Sequence, residues 1–159
     1  MKNINIRKAV INDVTIILDF IKQLAEYEKL GHEVVADTEQ LKETLFCKNP
    51  LAHVLIGEIN GEACGFALYF YNYSTFQAKP GIYLEDLFVN DVSRGSGLGK
   101  ALLLHLAEIA KSNKCGRLEW SVLNWNKPAI NFYLSIGAAP IEGWTKYRLD
   151  EDTIEGIRG

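Results

Sequence analysis

Hydrophobic positions along this chain follow two rhythms, alternation every second residue and recurrence every third or fourth. Ile4 and Ile6 alternate with polar neighbours over Asn3–Lys8, predicting a short strand. Val14, Ile17, Leu18, Ile21, Leu24 and Ala25 then recur at helical spacing behind a cap at Asn12 or Asp13. Gly31–Val35 interrupts the pattern. A second helix is predicted from a cap at Asp37 or Thr38 as far as Phe46, before Asn49-Pro50. Two strands, His53–Ile59 and Glu62–Tyr71, flank Asn60-Gly61, a dipeptide suited to a tight hairpin. A loop over Asn72–Pro80 and a long strand over Gly81–Val89 follow.

The next helix runs to Asn113, with Leu98, Leu102, Leu106 and Ile109 on one face, widened by Ala101, Leu104 and Ala110. Cys115-Gly116 ends it, and Arg117–Leu123 reads as a strand. Asn126 caps a further helix with Pro128 in its first turn, where a missing N–H costs nothing. Gly137 closes that helix, Trp144–Leu149 reads as a final strand, and the last residues are expected to fray. This order predicts one α/β (α+β) domain over residues 1–159, a mixed, mostly antiparallel sheet with helices on both faces.

Composition narrows the function. Hydrophobic residues make up 48% of 159, enough for a core that folds without staples. A net charge of −3 argues against nucleic acid and suits a cationic small substrate better. Cys47, Cys64 and Cys115 form no paired motif and read as reduced, partly buried thiols of a cytoplasmic protein. No apolar run reaches the ~20 residues of a membrane span, and no signal peptide is expected. His32, His53 and His105 lack the spacing of a zinc site or a catalytic triad, so no metal is expected. Trp120, Trp125 and Trp144 read as packing residues.

The richest chemistry lies between Tyr83 and Lys100. A strand carrying Glu85-Asp86 runs into Arg94-Gly95-Ser96-Gly97-Leu98-Gly99-Lys100, which opens a helix. Free backbone N–H groups at such a helix start bind phosphate, and glycines let a ligand approach without a Cβ in the way. A Walker A loop is excluded, because Arg94 replaces its first glycine and Ala101 its hydroxyl residue. A dinucleotide fingerprint is excluded because its third glycine would fall on Lys100 or Leu102.

The remaining pattern, Arg-x-x-Gly-x-Gly at Arg94, Gly97 and Gly99, resembles the acetyl-coenzyme A pyrophosphate loop of the GNAT acyltransferases. Trp125-Asn126-Lys127-Pro128-Ala129-Ile130-Asn131-Phe132-Tyr133, followed by Gly137-Ala138, resembles the second signature of that superfamily. Tyr83-Leu84-Glu85-Asp86, Ile6-Arg7-Lys8-Ala9, Leu24-Ala25-Glu26-Tyr27-Glu28 and Glu142-Gly143-Trp144 extend the likeness to one branch over nearly the whole chain. That branch holds the diamine (spermidine/spermine) and thialysine N-acetyltransferases.

The resemblance implies acetyl-CoA as co-substrate and a cleft where the strand through Glu85–Val89 parts from that through Leu118–Val122. Coenzyme contacts are expected at Leu87, Phe88, Val89, Arg94, Gly95, Ser96, Gly97, Leu98, Gly99 and Lys100, and at Asn126, Lys127, Pro128, Ala129 and Tyr133. A main-chain N–H near Leu87 would meet the developing oxyanion.

An amine with a pKa of about 10.4 must lose a proton before it attacks. The resemblance assigns that proton to Glu85, with alternation sending Asp86 to the opposite face. Tyr133 matches the tyrosine that protonates the departing thiolate; read without the resemblance, it is a core tyrosine. Acceptor contacts are expected at Tyr27, Glu28, Glu85, Asp86, Glu119, Trp120, Ser121 and Glu142, with Glu33 a looser candidate. Tyr73-Ser74-Thr75-Phe76 resembles the thialysine side of the branch more than the polyamine side. A homodimer is implied by resemblance only. The competing readings are acetylation of a protein lysine or N-terminus, which needs an open acceptor groove, and a catalytically inactive coenzyme-binding module.

Overall fold

Asn60 and Gly61 both take positive φ, 53° and 87°, turning β2 (His53–Ile59) tightly into β3 (Glu62–Ser74). This hairpin is the middle of a five-stranded sheet ordered β1-β2-β3-β4-β5. β1 (Ile4–Lys8) pairs antiparallel with β2, and β4 (Lys79–Val89) pairs antiparallel with β3. β5 (Leu118–Trp120) joins β4 in parallel, through α3 (Leu98–Ser112). A computed structural model describes residues 2–157.

One face of the sheet is covered by α1 (Val14–Tyr27) and α2 (Thr38–Leu45), the other by α3. Phe20 of α1 stacks on Phe66 with ring centroids 5.8 Å apart and lies 5.9 Å from Phe88. Phe20 is fully buried although the predicted stripe of α1 omitted it. On the other face, Leu98 and Leu102 press on the backbone of Gly57, where a Cβ would stand 2.8 Å from Leu98 Cδ1. α3 buries Leu103 and exposes Leu104, reversing the prediction: Leu103 precedes Leu106 by three and so shares its face.

The helix starts follow local chemistry. Asp37 accepts from the Gln40 N–H at 2.8 Å while the Gln40 side chain accepts from the Asp37 N–H at 3.0 Å, a reciprocal cap. Asp13 stands at the cap position of α1 but its carboxylate does not cap the helix. It accepts two hydrogen bonds from the Arg7 guanidinium, at 2.7 and 2.9 Å, and one from the Val10 N–H. Arg7 also reaches Glu58 at 2.6 Å, tying β1 to β2 and to the entry of α1.

Several boundaries move. The predicted loop over Asn72–Pro80 shrinks to residues 75–78, because Tyr71 and Tyr73 sustain the alternation and pair with Ile82 and Pro80. β5 is shorter than predicted, and no strand follows it among the described residues. Residues 144–149 carry the aromatic and branched residues of a strand but form no ladder among the described residues. Trp144 and Tyr147 are accordingly 83% and 91% exposed, so Trp144 is not a packing residue. A final helix, α5 (Glu151–Gly156), replaces the expected frayed end, while Arg158 and Gly159 lie outside the described residues. Its signal was present: Asp150 caps the Thr153 N–H at 2.9 Å, and Glu151 and Asp152 fill the first turn.

All three cysteines are free; Cys64 is buried and Cys115 half-buried, but Cys47, just past α2, is exposed. No described helix is long and apolar enough to cross a membrane. The chain divides into two compact units, the first running to Ser121 and the second starting at Val122. The second unit holds α4 (Lys127–Ser135) and α5.

Candidate active site

Register across the β3–β4 pair slips beside the acidic doublet. Leu68 stands opposite Asp86, whereas Tyr69 stands opposite Leu84, leaving Glu85 as the extra residue of a bulge. Simple alternation, which would have fixed Asp86 by reference to Glu85, does not hold here. Asp86 shares the face of its partner Leu68, which packs against the α1–α2 core, while Glu85 is exposed. Burial, helped by the charges of Glu85 and Glu28, raises the Asp86 carboxyl to a pKa of about 6. Burial alone also raises the Glu28 carboxyl, at the cap position that follows α1.

Pairing between β4 and β5 stops at Leu84 and Trp120, while β4 continues to Val89. From Glu85 to Val89 the edge that had faced β5 therefore has no strand beside it among the described residues. The opening begins where the resemblance implied that the two strands would part, and it leaves β4 without a β5 partner around Leu87, beside the carboxylates. Phe88 of this segment is buried, so its side chain belongs to the core and only its backbone is available to a ligand.

The glycine turn begins just beyond Val89. Gly95 and Gly97 have φ of 75° and 91°, conformations costly for any residue with a Cβ. Gly97 is the cap residue of α3, and the first intrahelical bond runs from the Ala101 N–H to its carbonyl at 3.0 Å. Ser96 Oγ accepts from the Leu98 N–H at 3.3 Å. By helix geometry the N–H groups of Gly99 and Lys100 have no acceptor within α3 and point out of its positive end. Leu98 is buried and anchors the helix, whereas Lys100 is exposed. A Cβ at Gly95 would meet nothing within 4 Å, so the space over the turn is open. These features fit a pyrophosphate.

Arg94, the first residue of the turn, bridges Asp91 at 2.9 Å. Its guanidinium carbon also lies 4.4 Å from the centroid of the Tyr27 ring. The end of α1 thus brings Tyr27 to the glycine turn and Glu28 into the field of Asp86.

Other predicted positions are occupied differently. Glu119 is engaged by Arg117 at 2.5 Å, leaving less charge to offer an acceptor. Ser121 Oγ and the Tyr83 hydroxyl are 2.7 Å apart, and Trp120 is half-buried at the end of β5. Glu33 lies 3.3 Å from His32 at the surface. His53 packs on Tyr69, and burial lowers its pKa. His105 is exposed on α3.

In the second unit the Asn126 side chain caps α4, accepting from the Ala129 N–H at 3.4 Å. Lys127 and Pro128 fill the first turn, and Gly137 closes the helix at φ 90°. Tyr133 sits in the last turn of α4 with its ring centroid 5.5 Å from that of Phe132. Glu142 is exposed, and Trp125, read from the sequence as a packing residue, is 46% exposed. Among the described residues no group of three or more His, Cys, Asp or Glu could hold a metal ion.

Known proteins resemble this chain in sequence and in fold. A family profile described as "Acetyltransferase (GNAT) family" matches residues 20–138. A thialysine N-epsilon-acetyltransferase of Mus musculus is 35% identical, covering 100% of this chain and 99% of its own length. An L-ornithine N5-acetyltransferase of Arabidopsis thaliana is 32% identical, covering 96% of this chain and 86% of its own. An integron cassette protein of V. cholerae superposes with a TM-score of 0.79 at 27% identity, covering 96% of both chains. A glycine turn at the head of α3, an opened β4 edge and full-length relatives of this kind place the chain in the GNAT acetyltransferase family, whose co-substrate is acetyl-CoA.

Proposed function

We propose that the chain transfers acetyl from acetyl-CoA to the primary amine of a small molecule, a polyamine, diamine, thialysine or related amino compound, by direct attack. The observation that carries this reading is the carboxylate group on β4: Asp86, with a pKa of about 6, in the field of Glu85 and Glu28 beside an open strand edge. A cluster of negative charge attracts an ammonium, and a carboxylate titrating near neutrality can then take its proton. The names of the mouse and Arabidopsis relatives, acetyltransferases of thialysine and of ornithine, support an amino compound as acceptor.

Bound acetyl-CoA supplies an activated acyl group, a thioester. The N–H groups of Gly97, Gly99 and Lys100 and the Arg94 guanidinium would hold its pyrophosphate at the positive end of α3. Backbone N–H groups of β4 around Leu87 polarise the thioester carbonyl. As the amine nitrogen bonds to the acyl carbon and the carbon–sulfur bond breaks, the amine proton passes to the Glu85–Asp86 pair. The resemblance supports the Tyr133 phenol as the group that protonates the thiolate, whose conjugate thiol has a pKa of about 8.5. Resemblance supports Glu85 as the member beside the thioester, whereas burial supports Asp86 as the member that holds the proton.

Exposed apolar side chains at Ile141, Trp144, Tyr147, Leu149, Ile154 and Ile157 support a homodimer. Three unpaired cysteines support a reducing, cytoplasmic setting. The test of the activity is a panel of polyamines, thialysine, ornithine, lysine and other aminoalkyl compounds, assayed by release of free thiol from acetyl-CoA. At least one is expected to raise turnover far above hydrolysis; none doing so would refute the proposal.

A further inference from the structure

Arg94 leaves the short helical turn of Asp91–Ser93 in an extended conformation, at φ −61° and ψ 145°, and Gly95 follows at φ 75°. A glycine neighbour does little to restrict a long side chain, so its direction is set by what it touches. Two contacts do so: the Asp91 carboxylate at 2.9 Å and the face of Tyr27 at 4.4 Å from the ring centroid. Asp91 is 83% exposed, and an exposed ion pair between near neighbours holds weakly. Tyr27 is half-buried and is the last residue of α1, a helix locked into the core through Phe20. Of the two partners, the ring is the one fixed by the fold.

We infer that Tyr27 is a positioning residue of the coenzyme site, its ring holding the Arg94 guanidinium toward the glycine turn so that the end of α1 sets the affinity for the coenzyme's phosphates. Neighbouring residues at one helix end then serve different substrates. Tyr27 acts on the coenzyme through Arg94, and Glu28 acts on the acceptor through the charge cluster at Asp86. This departs from the sequence expectation, which made Tyr27 an acceptor contact, and it rests on the reading that Arg94 meets the pyrophosphate. A guanidinium already fixed over a ring loses less freedom on meeting a phosphate than a free one would.

The test is titration calorimetry of coenzyme A, with no amine present, on wild type, Tyr27→Phe, Tyr27→Leu, Arg94→Ala and the double variant Tyr27→Leu/Arg94→Ala. Tyr27→Phe keeps the ring face and is expected to bind within about two-fold of wild type, while Tyr27→Leu weakens binding by about three- to five-fold. Arg94→Ala is expected to weaken it at least as much, and the double variant no further, because both act through one contact. Wild-type affinity in Tyr27→Leu together with weak binding in Arg94→Ala would overturn the role of Tyr27 alone. Undiminished binding by Arg94→Ala would overturn the underlying reading of the turn. Tyr27→Met, unbranched and equally without a ring, gives the same comparison if the leucine variant does not fold.

Discussion

The two halves of the site in the first unit are made of different material. The glycine turn works through backbone: Gly95 and Gly97 hold positive φ, and the binding groups are N–H donors at the start of α3. The acidic half works through side chains, with Asp86 half-buried beside the bulge at Glu85 and Glu28 closing in from the end of α1. A backbone site is tuned by conformation and reads out as affinity. A carboxylate site is tuned by burial and charge and reads out as rate and pH dependence.

The sharpest test of that division is Asp86→Asn. Removing a positioned proton acceptor is expected to lower kcat/KM by about 100-fold or more while coenzyme affinity measured by calorimetry stays unchanged. Stability should move the other way. The folded-state pKa of Asp86, about 6, lies above its unfolded value of 3.8, so the folded protein binds the extra proton between those values. Stability therefore falls as pH rises through that window and is level above it; the asparagine variant should lack this slope and be more stable at pH 7 by at most about 3 kcal/mol. A coenzyme affinity that fell with the rate would dissolve the distinction between the halves.

Tyr133→Phe comes next, with kcat expected to fall by about ten-fold or more and coenzyme binding retained. Unchanged turnover would remove the phenol from the chemistry. Glu85→Gln separates the members of the doublet. If Asp86 holds the proton, deleting the neighbouring charge lowers its pKa, and the acid limb of the pH–rate profile moves below about 6. Loss of that limb altogether would transfer the proton to Glu85.

Gly97→Ala should show the smallest change in rate and the clearest change in the backbone half. A Cβ at φ 91° strains the cap of α3, costing about 1–2 kcal/mol of stability and weakening coenzyme binding, with kcat at saturation nearly preserved. A large drop in kcat instead would mean that the turn also shapes the reacting centre.

Legibility in the sequence follows the range of the interactions involved. The Asn60-Gly61 hairpin, the Asp37 cap and the Asn126-x-Pro128 helix start depend on residues within a few positions and were readable. The glycine turn was readable for the same reason. The bulge was not, because a register slip exists only relative to Leu68 and Tyr69 on another strand, and with it went the true setting of Asp86. Arg94 and Tyr27 meet only after α1 packs on the sheet, so no local pattern announces their contact. Residues 144–149 show the converse error: strand-like composition suggested a ladder that needs a remote partner.

The parallel attachment of β5 carries a consequence for how the molecule assembles. β2, β3 and β4 close through short turns, but β5 can dock only after the chain has traversed the whole of α3 and doubled back beside β4. The loop-closure entropy of that step is larger than for any other strand junction from β2 onward. Pulse-labelling hydrogen exchange during refolding should therefore find amides of the β2–β3 hairpin protected first and those of Leu118–Trp120 last. The open edge of β4, and with it any capacity to hold a thioester, would then be completed at the end of folding.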